Sequence, residues 1–252
     1  MCIVPFPVNS IESTNIFVLP SEDKKRQMTF YKNHVDSIHE NIMILPFPGA
    51  KSLQLHKVRY KAMFNDLRSS VWKIPEQRYE IMEMSSPLRA ASAASLPVIS
   101  HGSYLLSIAE TLEDLHRINP TVFDLPEGIF DFFRKHYNSQ FGYLVCKLKE
   151  GKSEYEPLCY SHEAIPTKLF VPTLHYHNHN GRINTEKADW DHLIYSLGTS
   201  EQANMEYKSY KTNKVDWRKF PEGYQHDIHK MVRCASISGF LPNKDIAFEL
   251  VV

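Results

Sequence analysis

The stretch Asn41-Ile42-Met43-Ile44-Leu45-Pro46-Phe47-Pro48 decides the fold class. It is short, apolar after Asn41, and closed by prolines. A run of that length is too short for a helix with a polar side and suits a strand covered on both faces. Upstream, Asn15 to Leu19 is rich in β-formers and stops at Pro20. After the polar turn Ser21 to Lys25, Gln27 to Val35 alternates imperfectly, with Met28, Phe30 and His34 on one face and Thr29, Tyr31 and Val35 on the other. Three strands in succession predict an antiparallel meander.

Downstream, Val58, Met63, Phe64, Leu67 and Val71 recur at helical spacing, which predicts an amphipathic helix over Arg59 to Val71. Residues 72–95 hold two prolines, Met82 and Met84, and a run of small residues. They read as an insertion, a lid or partner contact, or a domain boundary. Strand pieces follow around His101-Gly102, which reads as a bend. Thr111 and Asp114 are spaced as a capping box opening a helix that ends before Pro120. A second helix follows Pro126, with Ile129, Phe132 and Phe133 on one face. Phe141 to Leu148, Tyr155 to Tyr160, Lys168 to His179, Asp191 to Leu197, Ala235 to Leu241 and Ile246 to Val251 read as strands, and Pro221 to Val232 as a helix. Strands cluster without regular helix alternation. The expected class is therefore α+β, a mainly antiparallel or mixed β-sheet with several short helices packed on it, forming a single domain over residues 1–252.

Composition narrows the function. The chain has 252 residues, 42% hydrophobic and 23% charged, which suits a globular core. Lys plus Arg and Asp plus Glu are 29 each, so the formal charge is zero. Without a basic surplus or stripe, no nucleic-acid partner is expected. Neutrality also favours protein partners or self-association. The four cysteines, Cys2, Cys146, Cys159 and Cys234, show no CxxC spacing and read as reduced core thiols. No apolar run approaches the about 20 residues of a membrane span, and no secretory signal is visible. The expected setting is cytoplasmic or nuclear, or within a virus particle, with no membrane association.

The segment Pro172-Thr173-Leu174-His175-Tyr176-His177-Asn178-His179-Asn180-Gly181 is the candidate site. On a strand, His175, His177 and His179 line one face at about 6.6 Å intervals. Two neighbours can lean onto one metal at about 2.0–2.1 Å each, but the outer two are about 13 Å apart. The expected metal set is His175 and His177 with Asp191 or His192 from a following strand folded back as a hairpin; His226 and His229 are a second source. The cofactor would be a divalent transition metal such as zinc. The His-x-His pair resembles that of the cupins, whose pattern needs a glutamate a few residues later; here the next is Glu186, so the pattern is not completed.

Cys2 offers another route. With Met1 removed, the thiol could use its own α-amine, of pKa about 7.7–8.0, as base, giving an N-terminal-cysteine hydrolase. The Met-Cys start resembles the glutamine amidotransferases, but Ile3 replaces their glycine. There is no Gly-rich phosphate loop, GxSxG elbow or HExxH. The leading expectation is a non-catalytic structural or interaction protein within a larger assembly. The metal-binding module or metal-dependent enzyme comes second.

Overall fold

All eight residues of 41–48 are buried, and alternate side chains enter different cores. Met43, Leu45 and Phe47 point one way, Ile42 and Ile44 the other. That is the physical meaning of the unbroken apolar run: this strand lies in a sheet covered on both sides. The computed structural model describes residues 3–57, 60–72, 95–177, 185–199, 207–211, 215–226 and 231–251.

In chain order the strands are β1 (Ile3–Val4), β2 (Val8–Pro20), β3 (Arg26–Ser37), β4 (Asn41–Pro48) and β5 (Gln54–Leu55), then helix α1 (Met63–Trp72). Next come β6 (Ile99–His101), β7 (Tyr104–Ala109), a 3-10 turn (Glu113–Arg117), α2 (Gly128–His136), β8 (Phe141–Leu148), β9 (Gly151–Glu154), β10 (Leu158–Glu163), β11 (Lys168–Val171) and β12 (Tyr176–His177). The chain continues through β13 (Lys187–Leu197), β14 (Tyr207–Lys211), a second 3-10 turn (Trp217–Lys219), β15 (Met231–Pro242) and β16 (Ile246–Glu249).

Two sheets carry the fold. One runs β12-β1-β4-β8-β7-β6; the other runs β14-β15-β13-β2-β3-β10-β5, with β9 also on β3. Pairing is mostly antiparallel, but β1·β12 and β13·β2 are parallel, so both sheets are mixed. Strands from either side of residues 73–94 pair directly, β4 with β8 and β3 with β10.

The cores give four layers. Between the sheets lie Met43, Leu45, Phe47, Leu144, Ile16, Val18, Tyr31 and Trp190. Outside the first sheet, α2 packs Ile129, Phe130, Phe132 and Phe133 onto Ile42, Ile44, Tyr143 and Val145. Outside the second, α1 packs Met63, Phe64 and Leu67 onto Phe17, Leu19, Met28 and Phe30 with Trp217 and Phe220. Each fully buried Leu, Ile or Phe contributes about 1.5–3 kcal/mol, so the helices are held by these faces rather than by propensity.

The fold corrects several sequence expectations. The molecule is more β-rich than expected, with two α-helices rather than several among the described residues. The first three strands do not form one meander: β4 leaves β3 for the other sheet, because its two apolar faces need cover on both sides. Residues 221–226 are turn and coil, with Gly223 at φ +78°, and Met231 already belongs to β15; there is no helix over the described part of 221–232. Thr111 and Asp114 do make the reciprocal capping bonds, each backbone N–H to the other's side chain at 3.2 Å, but they open a short 3-10 turn. His101-Gly102 is a tight hairpin turn between β6 and β7, with Gly102 at φ +58° as such turns require. Most of 72–95 lies outside the described residues.

Gly142 explains how closely β4 and β8 sit. A Cβ there would collide with Phe47 Cζ and lie 2.9 Å from the Ala50 carbonyl oxygen. Gly142→Ala is expected to destabilise by about 1–3 kcal/mol through overpacking. Urea unfolding monitored by tryptophan fluorescence measures this.

Candidate functional site

The expected strand Lys168 to His179 is not one strand. Its described part contains β11, which pairs with β16, and β12, which pairs with β1. Pro172 interrupts the run where a ladder N–H would be needed. The next backbone groups bind side chains instead. Thr173 N and Leu174 N donate to Asp245 Oδ1 at 2.7 and 2.8 Å. His175 N donates to Asn243 Oδ1 at 2.7 Å, and Asn243 Nδ2 returns a bond to the His175 carbonyl at 2.8 Å. The clamp comes from the β15–β16 connection, about 70 residues away in sequence.

Asp245 also accepts from the Tyr137 hydroxyl at 2.7 Å, just past the end of α2. Burial pushes its carboxyl up to about 6, against the pull of Tyr137 and the two backbone donors. One buried carboxyl thus joins α2, the 173–175 segment and the β15–β16 turn.

His175 is buried beside β13. Its ring centroid is 4.8 Å from that of Trp190 and 5.2 Å from that of His192, with the two imidazoles only 12° from parallel. Trp190 and His192 share a face of β13 by the two-residue period, and their rings are 4.9 Å apart. The group is a compact, buried aromatic stack. Asp191 points elsewhere: its Oδ2 accepts from Ser13 N at 2.7 Å, where β2 bulges and Ser13 has φ +54°. Its Oδ1 is 3.8 Å from His192 Nδ1.

Of the expected set, the structure brings His175 and His192 together and turns Asp191 to β2. The His177 side chain lies outside the described residues, as do His179 and His229. β13 is not a hairpin partner of the histidine segment; it pairs with β15 and β2. His226 is elsewhere, with Nε2 2.8 Å from the Pro20 carbonyl oxygen. Among the described residues, no three His, Cys, Asp or Glu side chains are grouped to hold a metal. Cys2 lies outside the described residues, and Cys146, Cys159 and Cys234 are buried free thiols. No described helix is long and apolar enough to cross a membrane.

Sequence reasoning missed Asp245, Asn243 and Tyr137. Asn243-Lys244-Asp245 reads as an ordinary polar turn, and nothing local marks its side chains as buried acceptors. It also missed a cleft of about 400 Å³ lined by Leu53, Leu96, Pro97 and Ile108 with Lys51 and Arg117 at its polar edge.

No protein-family model matches the sequence, and no curated protein matches it. Solved structures do. The crystal structure of baculovirus P35 superposes with a TM-score of 0.54 over 100% of both chains at 13% identity. A mutated baculovirus P35 after caspase cleavage matches with a TM-score of 0.51, covering 96% of this chain and 100% of that one, at 13% identity. P35 in its complex with caspase-8 gives 0.53, covering 98% and 99%, at 11% identity. At these identities the likeness speaks for architecture, and from end to end this chain has the fold seen in baculovirus P35.

Proposed function

We propose that this chain is an interaction protein whose partner is a protease of the caspase class. The observation that carries the reading is the superposition on P35 over the full length of both chains, since P35 has been solved bound to caspase-8 and after caspase cleavage. A likeness confined to one sheet would carry much less, because common folds serve many functions. The sequence agrees in kind: it has no recognisable catalytic motif and no charge pattern for nucleic acid, and its neutral balance suits protein partners.

The chain is expected to co-elute with active caspase-8 in gel filtration and to depress its turnover of a fluorogenic peptide. Intact mass before and after incubation reports any cut made in the chain. Full caspase activity at molar excess of the chain, with no shared elution peak, refutes the reading for that protease. The same assay across other caspases then tests the class.

A further inference from the structure

We propose that the outer edge of β15 at Ser238 to Pro242 is a self-association site, where a second copy of this chain adds its own β15 antiparallel about a two-fold axis at Phe240. β15 has strands on both sides only along its first half. β14 pairs with Met231 to Ala235, whereas β13 runs along the strand from Val232 to Pro242. Beyond Ala235 no described strand takes the outer edge. Such an edge offers a row of main-chain donors and acceptors to another chain.

Its side chains do not protect it. Natural edges are blunted by charge, lysine above all. Ala235 to Pro242 carries no charge. Ser238 to Pro242 is exposed throughout, Phe240 at 60%. Phe240 stands opposite Asp189, while Ala188 and Trp190 on either side of that aspartate enter the core between the sheets. By alternation the phenylalanine is on the outward face, with Lys187 Nζ 5.9 Å from its ring centroid. Gly239 has φ +95°, yet the ladder to β13 keeps its register across it.

A two-fold contact needs one patch that complements itself. β14 sets the register. Centring on Gly239 would pair Ser236 with Pro242 and drive that proline into the β14 of the other copy, which begins opposite Ala235. Centring on Phe240 pairs residues 238–242 over about 14 Å and leaves Ser236 and Ile237 as clearance. Three contacts then match. Phe240 meets Phe240 of the other copy directly across the ladder, where aromatic pairs are favourable. Gly239 meets Leu241: a Cβ on the glycine would find nothing within 4 Å, so that space is open to the leucine. Ser238 meets Pro242, which lacks an N–H and so ends the ladder. Past Pro242 the chain turns inward, with Asn243 buried and Asp245 reaching Thr173 N, which clears the row for the β14 of the other copy.

No like charges are opposed in this pairing, and the zero formal charge of the chain adds no long-range repulsion. The paired window is much smaller than the roughly 20–30 residues a side of a standard interface, so the dimer is expected to form and part with concentration. It does not depend on the chain having a caspase partner.

Sedimentation velocity of the full chain from about 5 to about 300 μM tests this. The average mass is expected to rise with concentration from the 29.3 kDa monomer toward twice that value. Phe240→Lys, at a position already in water, should stay monomeric over the range with an unchanged melting temperature. Phe240→Cys reads the register, because directly opposed residues lie about 4.5–5.5 Å apart at Cα, within disulfide reach. Under mild oxidation it should link into a dimer several-fold faster than the original chain, whose own cysteines set the baseline. It should also link faster than Met231→Cys, which is 41% exposed on the same strand but outside the paired window. A chain that stays monomeric at the top of the range leaves the edge to a foreign strand and overturns the proposal. Self-association that survives Phe240→Lys, or equal linking by the two cysteine variants, overturns it as well.

Discussion

Asp245→Ala is expected to lower the unfolding free energy by about 2–4 kcal/mol, because it strands three buried donors: Thr173 N, Leu174 N and the Tyr137 hydroxyl. Each stranded donor costs roughly 1–3 kcal/mol, and removing a buried charge offsets part of the sum. Asp245→Asn should behave differently. Its amide oxygen still accepts from the two backbone N–H groups, and its NH2 faces a hydroxyl that can accept. Near neutral pH it is expected to stay within about 1 kcal/mol of the original.

The pH dependence separates the two effects. Asp245 titrates near 6 when folded against 3.8 when unfolded, so the folded state takes up its proton first. The resulting stabilisation is complete below the unfolded value and is lost as pH rises through the folded one. Between pH 7 and pH 5 the original chain should therefore gain about 1 kcal/mol relative to Asp245→Asn. His162 works in the opposite direction. It is buried, its pKa is lowered to about 4, and its contribution disappears as pH falls from 6.5 toward that value. The raw profile mixes both groups, so the difference between the two chains in urea unfolding is the quantity to measure. A difference that does not change with pH would mean that Asp245 titrates normally.

The second large effect is expected at the buried stack. His192→Ala should cost about 2–4 kcal/mol, since it opens a cavity beside His175 and Trp190 that a rigid sheet cannot close. His175→Ala should cost a similar amount, and the double variant less than the sum, because the rings share one contact. Treatment with a chelator should leave the melting temperature of the original chain unchanged if these rings act by packing. A fall in melting temperature with EDTA, restored by zinc, would instead support a metal held by His175 and His177 with Asp191 or His192.

The local pattern carried much of the architecture. Asn41 to Pro48 read as a doubly covered strand and is one, with all eight residues buried. The face of α2 containing Ile129, Phe132 and Phe133, the bend at His101-Gly102 and the reciprocal Thr111–Asp114 bonds were equally legible. Each depends on residues within a few positions of one another, where side-chain period and turn chemistry act directly. The candidate site was legible only in part. Sequence singled out His175 and, on a following strand folded back as a hairpin, His192 as candidate metal ligands; the structure stacks the two rings in the interior without that hairpin pairing.

What the amino-acid sequence determined by itself was a chain of clustered strands with amphipathic helical faces among them, a neutral charge balance and core thiols. Only the tertiary structure decided that β4 crosses to a second sheet, that the histidine segment breaks after β11, and that Asp245 holds the break in place. The reason is the range of the interactions. A strand's alternation is written in adjacent residues, but the partner of a backbone N–H at Thr173 is a carboxyl 72 positions away, and only the packing of both sheets brings them together.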